Sequence, residues 1–241
     1  PKYASYNLID NSLIDQVKDL EAHKTASFEI LKLYSIFKSG NKNRAIPQSY
    51  IPTQSLFDKI ASFIRLNFFI PDSRIGWNYF AFKKAKKLIE ENNINCVITT
   101  GPPHSSHLIG KKIYNKFKLK WIVDLRDPWA ELFYLKNKFQ FNYVKKLNLK
   151  FELDVLNSAD AILTTVGNRY KTILRNKLSN TNKIYKIYNG YDKIAYDKIE
   201  EIKPDSYNIV FTGILSKNHN YQLFLEVLSL LKDCLLYTSP S

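Results

Sequence analysis

The chain has 241 residues, 45% hydrophobic and 24% charged, with a formal net charge of +14. This length admits one large domain or two small ones, and this balance excludes global disorder. Two cysteines, Cys96 and Cys234, exclude a disulfide framework and point to a reducing cytoplasm. No apolar run reaches the roughly 18–20 residues that cross a bilayer. No signal peptide opens the chain, and Pro1, in a sequence without methionine, is not read as the native start. The basic excess fits an anionic partner: nucleic acid, a membrane surface or a phosphate-bearing substrate. Its scatter along helices fits solvated faces equally well.

In chain order, residues 1–18 read as a loop and a short helix, SLIDQV. Alternation in Leu20 to Thr25 predicts a strand, and Phe28 to Lys38 an amphipathic helix. Asn41 to Pro52 is a polar loop. Leu56 to Ile70 predicts an unusually aromatic helix that Pro71 ends. Trp77 to Glu91 predicts a basic helix. A face carrying Phe57, Ile60, Phe63, Ile64 and Phe68 beside that basic helix suits peripheral attachment to anionic lipid. It suits packing against the rest of the domain equally.

The stretch from Asn95 to Asp127 is a strand, a Gly/Pro turn, a helix and a second strand. That is a βαβ unit, which predicts a parallel sheet flanked by helices. Ligands of such sheets sit beyond the carboxyl ends of the strands. Here those ends carry Thr99, Thr100, Gly101 and His104, then Arg126 and Asp127. Cys96 is expected in the core of its strand. Further along, Phe139 to Leu156 predicts a helix, Ala159 to Val166 a strand, Gly167 to Lys177 a helix, and Lys183 to Tyr188 a strand closed by Asn189-Gly190. Residues 191–206 read as a linker. Tyr207 to Thr212 predicts a strand, followed by Gly213 and a helix from Asn220 to Leu231.

TTGPPH, VDLRDPW, ADAILTTV, KIYNGYD and VFTGILSKNHN, in this order, resemble the family 4 glycosyltransferases. The likeness is to their bacterial family 4-like branch, in which an IPDSRIGW-type segment precedes the first motif. It covers essentially residues 7–232. The resemblance implies a GT-B enzyme of two Rossmann-like domains. It implies transfer of a sugar from a nucleotide-sugar to a sugar, lipid-linked or polysaccharide acceptor, with retention, no required metal, no separate cofactor and no nucleic acid. On this reading residues 1–190 are the acceptor-side domain without its first elements, and 191–206 the linker. Residues 207–233 open the donor-binding domain, and 234–241 (CLLYTSPS) resemble an adapter-derived tail that does not continue the preceding helix. The chain would then be a fragment without transfer activity of its own. The alternative is a non-catalytic module that binds nucleotide-sugar or nucleic acid.

The resemblance implies a catalytic role for Asp127, at the family's His-Asp pair. Asp127 before Pro128 also fits a helix N-cap. Arg126 stands where the family has histidine, and its fork suits a phosphate or an acceptor; an ion pair with Asp124 is its other reading. His104 opens a helix, where N–H groups favour an anion, and is placed with Gly101, Asn189 and Gly190 on the substrate side. Ser105 and Ser106 read as caps. Gly101 and Gly213 each permit close backbone approach or a positive φ. Gly213 and Lys217 fall on the family's donor side, although its usual arginine is Ile214 here. No metal-ligand spacing, GxSxG elbow or P-loop is present.

Overall fold

The computed structural model describes residues 18–28, 56–130, 138–165, 167–198, 209–213 and 220–235. The chain divides into two compact units, Pro1–Gly190 and Tyr191–Ser241. The first is α/β. Helix α1 (Leu56–Phe68) leads through a 3-10 turn (Ile75–Trp77) to α2 (Asn78–Glu91). Then β1 (Cys96–Gly101), α3 (Ser105–Phe117), β2 (Lys120–Leu125), α4 (Asn142–Ser158), β3 (Ala161–Thr164), α5 (Asn168–Lys177) and β4 (Ile184–Lys186) follow.

The four strands are all parallel and stand in chain order, β1-β2-β3-β4. Crossovers that keep one hand and advance in one direction deliver their helices to one face. The core agrees with this. Trp121, Val123 and Ile162 from the strands join Val155, Leu156 and Leu174 from α4 and α5 in one cluster. Among the described residues the opposite face is open, with Ile98 61% and Tyr185 52% exposed. Parallel sheets are ordinarily covered on both faces; the described residues cover one.

Polar ties fix the helices on the covered face. Lys183 Nζ donates to the carbonyls of Asn157 and Ala159, at 2.9 and 2.8 Å, and so closes the carboxyl end of α4. Asp160 takes the Trp121 N–H at 2.9 Å and the Lys120 ammonium at 3.1 Å. The Trp121 bond, then Lys120, holds its carboxyl below the usual range. Lys177 at the end of α5 meets Glu152 of α4 at 2.8 Å.

Several expectations are corrected. Leu20 to Thr25 is not a strand; the described backbone there has no ladder partner, and a strand exists only where a neighbour completes its hydrogen bonds. Residues 209–212 fail as a strand for the same reason, with Val210 77% exposed. Cys96 is exposed rather than in the core, because it lies on the edge strand and on the uncovered face. The helix expected from Phe139 starts at Asn142, since the backbone of residues 139–141 is bonded to Asn67. In the second unit a short helix, α6 (Lys193–Tyr196), interrupts the expected linker, and α7 (Tyr221–Leu235) runs into the stretch expected to leave the helix. Cys234 and Leu235 contain no breaker, and the next proline is Pro240. The helix expected over Phe28 to Lys38 lies, beyond Phe28 itself, outside the described residues, as does SLIDQV.

Candidate functional site

The carboxyl ends of the strands are knitted together. Arg126 N–H donates to the Gly101 carbonyl at 3.0 Å, and Ile187 N–H to that of Thr164 at 3.1 Å. Arg126 then reaches across the sheet, its Nη2 donating to Asn189 Oδ1 at 3.2 Å. Its partner is therefore Asn189, beyond β4, and no ion pair with Asp124 forms among the described residues. Arg126, Asp127, Asn189 and Gly190 are all exposed. Asp127 does not begin a helix: Pro128, Trp129 and Ala130 are non-helical. The capping alternative for this carboxylate is thereby removed, and the side chain stands at the rim in solvent.

The rim is held from beneath by a buried aromatic and polar layer. Trp129, 1% exposed, stacks on His104 with centroids 4.9 Å apart and an interplanar angle of 8°. Its indole N–H donates to Asn148 Oδ1 at 2.8 Å. His104 Nε2 lies 3.2 Å from the Pro128 carbonyl. A carbonyl only accepts, so the proton is on Nε2 and Nδ1 carries the lone pair. His104 thus supports residues 126–129 from behind, while Arg126 and Asp127 point outward.

His104 does open α3, yet the anion at that helix end belongs to the chain itself. Asp72 accepts Ser105 N–H at 2.8 Å, Ser105 Oγ–H at 2.8 Å and Arg74 N–H at 2.9 Å. The serines do not cap directly; Ser105 binds Asp72 and Ser106 donates to the Thr100 carbonyl at 2.6 Å. Asp72 is the residue that sequence reasoning passed over. It sits in the IPDSRIGW segment already singled out, and its role depends on a fold that brings residue 72 to residue 105.

Behind β1 lies a second histidine, His107, at 0% exposure. Its Nδ1 is 2.9 Å from Thr99 Oγ1, which also accepts the Trp121 indole N–H at 3.0 Å. His107 Nε2 and His104 Nδ1 are buried without a hydrogen-bond partner. Both face Gly101: a Cβ there would stand 2.5 Å from His107 Nε2 and 3.0 Å from His104 Nδ1. Close approach, rather than a positive φ, is therefore what this glycine supplies. Gly213 is the reverse case, with φ +137° and ordinary contacts around it. Lys217 lies outside the described residues.

Burial strongly disfavours the imidazolium in both rings. His107 is lowered to about 3 by burial and then by His104, and His104 is lowered by burial against the opposing pull of Asp72 and Asp127. Both rings are neutral at pH 7. The sign of the linkage follows. Below the ordinary value of 6.5 the unfolded chain binds protons that the folded chain refuses, so stability falls with pH. Between pH 8 and pH 5 His107 alone is expected to remove about 2 kcal/mol, and His104 adds in the same direction. Urea unfolding at pH 8, 6.5 and 5 measures this. His107→Gln should flatten the profile, and a wild-type profile already flat above pH 5 would mean that the rings are not held neutral.

A groove of about 490 Å³ runs along the free edge of β1. Trp77, Ala81, Leu88, Ile109 and Ile113 line it, with His23, Lys84 and Ser106 among its polar groups. It does not include Arg126, Asp127 or Asn189. Largely apolar walls beside a strand edge that has no partner among the described residues have the character of a core surface, so the rim is the better candidate for chemistry. Among the described residues no three histidine, cysteine or carboxylate side chains group to hold a metal ion. No helix there is long and apolar enough to cross a membrane. Compared with known proteins, the chain matches no family model, no curated protein and no solved structure.

Proposed function

We propose that the chain serves retaining glycosyl transfer, from a nucleotide-sugar to a cell-envelope or polysaccharide acceptor at the inner face of the cytoplasmic membrane. The observation that carries this reading is the exposed rim of a parallel sheet where Arg126 bonds Asn189 and Asp127 stands next in the chain, each from the motif expected to supply it. In such a transfer the bond between the anomeric carbon and the leaving diphosphate breaks. The acceptor oxygen bonds to the same face of that carbon, and its proton leaves to the diphosphate. Catalysis then consists of positioning and of stabilising charge on the leaving group.

The chain's own residues take the following parts. Asp127 accepts a hydrogen bond from a sugar hydroxyl. Arg126, oriented by Asn189, offers its remaining donors to a phosphate or to the acceptor. Gly190 follows Asn189 at the rim without adding a side chain. Gly101 and His104 act from behind, by setting the level and direction of residues 126–129. Gly213 supplies a turn on the donor side, and Lys217 a cation there.

Calorimetry of the transferase that the chain is proposed to serve, with a panel of nucleotide-sugars and a single-stranded RNA, tests this reading. At physiological salt, heat is expected with at least one nucleotide-sugar and none with the RNA. Saturable RNA binding alone would make the rim part of a nucleic-acid module instead.

A further inference from the structure

Helix α1 is inside out. Asp58, Ser62 and Asn67 are buried, while Leu56, Ile60, Ile64 and Phe68 are 75%, 49%, 43% and 65% exposed. A surface helix of a globular domain ordinarily does the reverse. The inversion is built into the fold by Asn67. Its Nδ2 donates to the Phe139 carbonyl at 3.3 Å, and its Oδ1 accepts Phe141 N–H at 2.8 Å. Gln140 Nε2 donates to the Leu66 carbonyl at 3.2 Å. These bonds strap residues 139–141 across the helix and leave Phe139 and Phe141 exposed. Both rings meet Phe63, at centroid distances of 5.9 and 5.6 Å, and Phe63 meets Phe68 at 6.4 Å. The result is one continuous aromatic and aliphatic surface, extended in sequence by Tyr143, which is 71% exposed.

The charges around it have one sign. Residues 56–70 and 138–151 carry Lys59, Arg65, Lys138, Lys145, Lys146 and Lys150 against a single carboxylate, Asp58, which is buried. Exposed apolar surface of this extent marks an interaction site. The centre of a protein–protein interface is depleted in lysine, whereas aromatics rimmed by lysine suit a bilayer interface with anionic headgroups. We propose that the exposed face of α1 with residues 139–143 docks the chain on an anionic lipid bilayer. The rings enter the acyl boundary, and the lysines meet the headgroups. The basic partner of the aromatic helix is then the start of α4, rather than α2. This inference names a partner for the membrane location proposed above, but it stands on surface chemistry and not on the transfer reaction.

Flotation of the 241-residue chain with vesicles, in the absence of any nucleotide-sugar, tests it separately from that reaction. Binding is expected with vesicles containing phosphatidylglycerol, weak with pure phosphatidylcholine, and reduced by salt. Lys145→Gln with Lys146→Gln should weaken partitioning roughly 25-fold, from about fivefold per lysine. Phe63→Ser with Phe139→Ser should weaken it at least as much. Circular dichroism and melting report whether each variant folds. If the phenylalanine pair does not fold, the lysine pair and the salt series still decide. Failure to float with either vesicle type overturns the proposal. So does a concentration-dependent dimer in sedimentation velocity that the phenylalanine substitutions abolish, since a second copy would then cover this face.

Discussion

Replacing Lys177 by methionine is expected to destabilise the first unit by about 3–5 kcal/mol and to lower its melting temperature by roughly 10 °C. Glu152 lies in the middle of α4 at 0% exposure, and the Lys177 side chain is only 13% exposed. Their contact of 2.8 Å is an ionic tie between α4 and α5. Lys177 also stands in the last turn of α5, where a cation complements the helix dipole. Removing the ammonium leaves a carboxylate inside the core without this partner, and such a charge costs more than the pair contributes. Replacing both, as Glu152→Met with Lys177→Met, should return stability to within about 1–2 kcal/mol of the wild type. Urea unfolding of the single and double variants makes the comparison. A single variant as stable as the wild type would show that the carboxylate finds compensation elsewhere.

For Asp127→Asn the expected result is a near-unchanged melt and a turnover lower by roughly 30- to 1,000-fold in the transferase that the chain is proposed to serve. This corresponds to about 2–4 kcal/mol of lost transition-state stabilisation. The substitution keeps the shape of the side chain and removes its charge. Asp127 is exposed, and the residues after it are not helical, so no cap is lost with the charge. A sugar hydroxyl gains most from a carboxylate where charge develops in the transition state. Paired measurement of turnover and melting separates the roles. Equal turnover would leave Asp127 an ordinary surface carboxylate. A lower melt with rate lost only in proportion to the unfolded fraction would make it structural.

Much of the first unit was legible in the sequence because its strands are short, apolar and β-branched, and each ends in a turn signal. The reading from Asn95 to Asp127 gave β1, α3 and β2 with bounds close to those observed. The parallel sheet followed from the strand, turn, helix, strand order of a βαβ unit. That stretch and the strand expected over Lys183 to Tyr188 also placed Arg126, Asp127 and Asn189 at strand ends, which is a matter of counting along each strand. By contrast Leu20 to Thr25, with its alternation, and Tyr207 to Thr212, with its apolar run, form no ladder among their described residues. Alternation describes a side-chain pattern; a strand needs a neighbour's backbone groups.

The sequence by itself determined the parallel α/β order, the positions of the strand ends and the residue types gathered there, because these follow from local periodicity and from spacing. Only the tertiary structure decided which groups meet. Asp72 closes the helix end at Ser105, 33 residues away in the chain. His104 turns inward onto Trp129, so that it supports the rim instead of standing on it. Asn189 takes the Arg126 fork that sequence reasoning offered to Asp124. Asn67 binds residues 139–141 and so turns the apolar stripe of α1 outward. Each of these is a hydrogen bond or a stacking contact between distant segments. Its strength depends on distance and angle over a few ångströms, and no local pattern along the chain carries that information.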